Sequence, residues 1–249
     1  MGRTYKTEAI VLRSIRFGEA DRILHLYTRE RGRIGAIAKG IRKTKSRVGA
    51  RLEPLSHVAL QLHEGSGELQ TVTGVDLVRA HHATRENVYR LGVGLIGAEA
   101  MLRLFVEPEA NQRAFDALAR FLDLLDEGDE SANETPALDL LALSFQLKLL
   151  WLSGYLPHLT SCAECGAADA TLVGYSPRAG GAVCGACAAQ TEALGLSAKG
   201  IHAIETLLAS PLAGAGAAGL DERSSRDALR LVQASYEYHG GFRLRTLSV

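Results

Sequence analysis

The apolar period of the chain changes once, near Thr84, and that change limits what the chain can fold into. Before it, apolar residues recur every second position, as in half-buried strands. Ile10, Leu12, Ile15 and Phe17 lie in a β-rich run that ends at Gly18. Ile23, His25 and Tyr27 alternate with Leu24 and Leu26, so both faces of that segment carry large groups. Residues 29–32 read as a turn into residues 34–38. Val58, Leu60 and Leu62 alternate with Ala59, Gln61 and His63, and a Gly-rich turn at residues 64–67 leads to Leu69, Thr71, Thr73 and Val75. Five short strands with one long interruption, residues 39–53, fit a small closed barrel. An oligonucleotide-binding (OB) barrel and an SH3-like barrel have similar strand counts, and periodicity does not separate them.

After Thr84 the spacing becomes three and four residues. Val88, Leu91, Leu95, Ala98, Leu102 and Phe105 mark one helix, which Pro108 ends. Phe115, Leu118, Phe121, Leu122 and Leu125 mark a second. A polar, acidic loop covers residues 126–136. Residues 137–152 are apolar on nearly every side, which predicts a central, buried helix. Residues 197–209, with Ser197 as N-cap, and residues 222–239 read as the last two helices, joined by a Gly/Ala linker at residues 213–219. The expected class is therefore α+β and multidomain: a five-stranded barrel at residues 1–80, then a helical domain at residues 81–249 with a cysteine-bearing insert at about 158–190.

Charge is divided along the same line. The chain has 28 Lys/Arg and 28 Asp/Glu, yet residues 1–52 hold 14 bases against 4 acids, a net of +10 that leaves −10 for the rest. Lys39, Arg42, Lys43, Lys45, Arg47 and Arg51 occur within thirteen residues that contain no acid. A solvated loop is the ordinary reading of such a run. Its position between strands of a barrel, and its small residues Gly40, Thr44, Ser46 and Gly49, favour binding of a polyanion such as nucleic acid. Arg29, Arg31 and Arg33 extend the track, with Arg13, Arg16 and Arg22 less certain members. Phe17 and Tyr27 are the aromatics placed to stack on bases, although core positions are at least as well motivated for both.

All four cysteines fall within 26 residues, as Cys162-x-x-Cys165 and Cys184-x-x-Cys187. Each pair lets one tight turn aim two thiolates at one metal, and the four together suit tetrahedral Zn²⁺ with no position open for water. Residues 172–175 and 182–183 are the strands expected between the two pairs. His158 reads as a loop residue, and His81-His82 as a solvent-facing pair. No nucleophile elbow, phosphate loop or dinucleotide fingerprint is present, since the glycines at 92, 94 and 97 sit in a helical pattern. The chain does not read as an enzyme. No apolar run is long enough to span a membrane, no signal-peptide pattern opens the sequence, and the cytosol is expected.

Residues 8–13, 18–24, 27–32 and 38–47 (Glu-Ala-Ile-Val-Leu-Arg, Gly-Glu-Ala-Asp-Arg-Ile-Leu, Tyr-Thr-Arg-Glu-Arg-Gly and Ala-Lys-Gly-Ile-Arg-Lys-Thr-Lys-Ser-Arg) together resemble the bacterial RecO family of recombination and repair proteins. The resemblance covers the whole chain. It implies an OB-fold barrel, a helical domain and, in members with the four cysteines, one structural zinc. It also implies a recombination mediator. Such a protein binds single- and double-stranded DNA, anneals complementary strands and partners RecR. It contacts the acidic C-terminal tail of single-stranded DNA-binding protein and helps load RecA, in a cytoplasmic, nucleoid-associated setting. The competing reading is a zinc-ribbon adapter that binds RNA in transcription or translation.

Overall fold

A computed structural model of the protein describes residues 2–41, 49–128 and 135–247. The chain divides into two compact units, Met1–Gly128 and Asp129–Val249.

The first unit is built on β1 (Arg3–Phe17), which is long enough to serve two neighbours. Its first half pairs antiparallel with β4 (His57–Glu64) and its second half with β2 (Asp21–Thr28). The register shifts between Val11 and Arg13, and this bulge bends the strand from one neighbour to the other. The bulge is held from the side: Val11 N–H donates to Ser56 O at 3.0 Å, and Leu55 N–H to Val11 O at 2.8 Å. With β3 (Gly32–Ala38) and β5 (Gln70–Arg79), the strands close in the order β1-β2-β3-β5-β4. The closing pair, β3 with β5, is parallel. This is the OB arrangement, and it resolves the choice of barrel that strand count left open.

Alternation decides the two faces. Leu24, Leu26, Ile34, Ala36, Val58, Leu60, Leu62 and Val75 point inward and form one buried cluster with Ala9, Val11, Ile41 and Leu52. The outer face is covered at one end by α2 (Val88–Leu104) and α3 (Gln112–Glu127), with the short α1 (His82–Glu86) before them. There Tyr27 meets Phe105 edge-on at 5.7 Å, and His57 meets Phe115 at 5.5 Å. Arg29 lies over Phe115 and pairs with Asp116 at 2.8 Å. Asn87 and Asn111 cap α2 and α3, each accepting from the backbone N–H three residues on.

In the second unit, α4 (Leu140–Leu152) has buried residues around most of its circumference, as its composition predicts. Its one basic residue has a structural use. Lys148 Nζ donates to the carbonyls of Leu207, Leu208 and Ser210 at 2.7–3.3 Å, closing the C-terminus of α6 (Ala198–Ala209). Ser197 caps the other end of α6 as expected. The last helix is α7 (Glu222–Gly240). The segment expected to be a Gly/Ala linker is instead a 3-10 helix, Leu212–Ala218, because Leu212 and Ala215 are buried and anchor it. The cysteine segment forms a small sheet of β6 (Leu172–Ser176), β7 (Gly181–Cys184) and β8 (Leu194–Gly195), with a single turn, α5 (Gly185–Ala188), after β7. Among the described residues no helix is long and apolar enough to cross a membrane.

Candidate nucleic-acid interface and candidate metal centre

The basic run leaves β3 and returns to β4. Lys39 is exposed just beyond the end of β3. Gly40 follows with a positive φ of 65°, and its N–H donates to Asp21 Oδ1 at 2.7 Å. That contact fixes the exit of the run against the start of β2. Arg42, Lys43, Lys45 and Arg47 lie outside the described residues. At the return, Arg51 Nη1 donates to Val75 O at 2.9 Å, so this guanidinium is tied to β5 by one of its five donors.

The flanking arginines divide by partner. Arg22 pairs with Glu53 at 3.0 Å, Arg31 with Glu64 at 3.0 Å, and Arg29 with Asp116 and Glu8. Arg31 also stacks on Tyr5, 3.7 Å from the ring centroid. These three are part of the fold. Arg13 and Arg16 are exposed and have no acidic partner among the described residues, and Arg33 bonds only to the carbonyl of Leu102. The two aromatics separate in the same way. Tyr27 is fully buried and belongs to the core, whereas Phe17 is 51% exposed. Sequence spacing placed them together because both lie on outer-face positions; only the helices at one end of the barrel tell them apart.

His81 is the clearest departure from expectation. It is buried, not solvent-facing: Nδ1 lies 2.8 Å from Leu55 O and Nε2 3.0 Å from Asp123 Oδ1. The ring thus bridges the loop before β4 and the carboxylate of α3. His81 adopts a left-handed backbone, φ 47°, to make this link. His82 is exposed, as expected.

In the second unit the four cysteine sulfurs lie within 4.8 Å of one another. Cys165 Sγ and Cys184 Sγ are 4.0 Å apart. A tetrahedron with metal–sulfur bonds of about 2.3 Å has edges of about 3.8 Å, so the cluster has the size of a metal site and is much wider than a disulfide. The backbone is built for it. Gly166 takes φ 74° and donates N–H to Cys162 O at 2.8 Å, turning the first knuckle. Gly185 opens α5 with an ordinary φ, so the second knuckle uses a helical turn instead. Backbone N–H groups of Cys165 and Cys184 point at Cys162 and hold its thiol down, to about 6. Cys187, hydrogen-bonded to Cys184 and crowded by the other sulfurs, is pushed up to about 12. Four thiolates this close together would repel one another, and a divalent ion held there would supply the compensating charge. Four sulfurs with no oxygen or nitrogen donor fit a soft or borderline metal. His158 bonds Ser161 and takes no part in the cluster.

An OB barrel with a basic run between β3 and β4, followed by a helical unit that carries a four-sulfur cluster, defines a two-part α+β protein. Comparison narrows the class to one family. The recombination protein O N-terminal model matches residues 1–81, and the recombination protein O C-terminal model matches residues 85–248. The chain is 40% identical to the DNA repair protein RecO of Rubrobacter xylanophilus over 89% of this chain and 88% of that one. It is 36% identical to the DNA repair protein RecO of Pelotomaculum thermopropionicum over 95% and 90%. The chain belongs to the recombination protein O family.

Proposed function

We propose that the protein is a recombination mediator in DNA repair that performs no chemical step of its own. The reading has the OB barrel, residues 1–80, bind single- and double-stranded DNA and promote annealing. Residues 81–249, with the insert at about 158–190, serve as scaffold and partner surface. The proposed partners are RecR and the acidic C-terminal tail of single-stranded DNA-binding protein, with RecA loaded as the outcome, in the cytoplasm at the nucleoid. The cysteine cluster is proposed to hold one structural Zn²⁺ through Cys162, Cys165, Cys184 and Cys187.

The observation that carries the DNA reading is the acid-free basic run, Lys39, Arg42, Lys43, Lys45, Arg47 and Arg51, entering and leaving an OB barrel. Neutralising a phosphate with each of the six gives a salt slope of roughly −0.7 × 6, about −4, for log affinity against log salt on a single strand. Reversing the charge of Lys39, Arg42, Lys43 and Lys45 is expected to weaken single-strand binding and flatten that slope. A folded variant with the parent's affinity and slope refutes the assignment of the run. Annealing of strands coated with single-stranded DNA-binding protein separates this reading from an RNA adapter, which would instead prefer structured RNA.

A further inference from the structure

The outer face of the barrel carries a second, ordered group of bases that runs from the edge of α2 onto the part the helices leave open. Strand register puts Arg13 of β1 opposite His25 of β2, and His25 opposite Gly35 of β3. Arg33 lies two residues before Gly35 on the same face. The three cationic or basic side chains thus come from three adjacent strands. No carboxylate pairs with any of them among the described residues: Arg13 is exposed and unpaired, and Arg33 spends one N–H on Leu102 O. The next row of the same face is Ile15, Ile23 and Ile37, with Phe17 beyond it. Ile15 and Phe17 are 37% and 51% exposed. Leu69, from the β4–β5 turn, leans onto the bare backbone of Gly35, where an added Cβ would stand 2.7 Å from Leu Cδ2.

A row of bases without acids, beside a row of exposed apolar groups, matches one ligand chemistry: a phosphodiester strand whose bases lie against the apolar row. We infer that Arg13, His25 and Arg33 form a phosphate seat in which His25 takes up a proton when the strand binds. The inference rests on the proposed DNA-binding role of the barrel and adds a site and a proton linkage to it.

The charges facing His25 fix the sign. Partial burial is the largest influence, and Arg13 on β1 and Arg33 on β3 follow; all three hold the imidazole below its ordinary value of 6.5. The free protein therefore keeps His25 neutral at neutral pH. A phosphate between the arginines cancels the repulsion and adds an attraction, which favours the imidazolium. Binding then tightens as pH falls through the range where the complex is protonated and the free protein is not. Each unit of rise in the histidine value makes about tenfold in affinity at low pH.

The test is fluorescence anisotropy with a labelled oligo-dT strand at pH 7.5 and 6.0, wild type against His25→Gln. Arginine and lysine do not titrate in this window, and the remaining histidines are common to both proteins. The wild type is expected to gain at least threefold more affinity on acidification than His25→Gln. A resonance titration of the wild-type histidines, with and without the strand, reads the same linkage without a variant: one imidazole should shift upward when DNA is bound. Equal pH profiles, together with histidine titrations unmoved by DNA, overturn the phosphate seat. Absence of oligo-dT binding at either pH overturns the barrel's DNA role itself, a separate result.

Discussion

Gly32 shows how much one residue can decide. It opens β3 with φ 63°, a conformation that costs an L side chain about 1–2 kcal/mol. A Cβ there would also run into the backbone oxygen of Glu109. Neither partner is a flexible side chain that can step aside. Gly32→Ala is therefore expected to lose roughly 2–5 kcal/mol, the left-handed penalty plus about 1–3 for displaced backbone. Chemical denaturation followed by tryptophan-independent far-UV signal measures this, and an unchanged midpoint contradicts it. Nothing in the sequence around Gly32 announces the constraint. A glycine in a turn was legible; the segment that crowds it lies 77 residues away and enters only with the fold. His81 makes the same point. Its two acceptors, at Leu55 and Asp123, are distant in sequence, so a histidine pair before a helix looks solvent-facing until the loop and α3 come together.

At the scale of elements, period two marked the strands and the cysteine spacing marked the knuckles, because both are local rules. The barrel's identity was not local. It depends on whether β3 closes against β5, a pairing across the basic run and β4. The buried cluster of the cysteine sheet is Cys162, Val183, Cys184 and Cys187, three of the four being sulfur donors, with Leu172 and four alanines partly buried against it. One firm anchor to the helices is Tyr175 OH, 2.8 Å from Ser235 Oγ on α7. An interior made largely of candidate ligands would depend on an ion held there. Removal of metal by a chelator is expected to expose the amides of residues 158–190 to hydrogen exchange. The barrel strands, whose core is aliphatic, should keep their protection. Uniform protection before and after chelation would show that the sheet stands without metal.

For the molecule as a whole, the summed charge is zero and conceals a division that matters for binding but little for folding. Buried and half-buried imidazoles contribute a pH dependence to stability. Burial lowers His57 despite the opposing carboxylate of Glu8, and burial likewise lowers His25 and His239. The unfolded chain then binds more protons than the folded one below about pH 6.5, so stability rises with pH across that range. Melting temperature should fall as pH drops from 7.5 to 5.5, and His57→Gln should flatten the trend. A flat wild-type profile would show that these rings are protonated in the fold without penalty.

The barrel is closed by a narrow seam. β1 lies against β2 and β4 along its whole length, but β3 and β5 share only the pairs Ala36–Gln70 and Ile37–Thr71. The pairings β1–β2, β2–β3 and β4–β5 join neighbours in the chain, whereas β1–β4 and the short β3–β5 seam both bridge the basic run. Leu69 and Gln70 sit at that edge, beside the open face of β1–β3, and Tyr5 OH reaches Gln70 Oε1 at 2.5 Å. A strand laid on this face would lie next to the shortest join in the cylinder, where it would brace the seam.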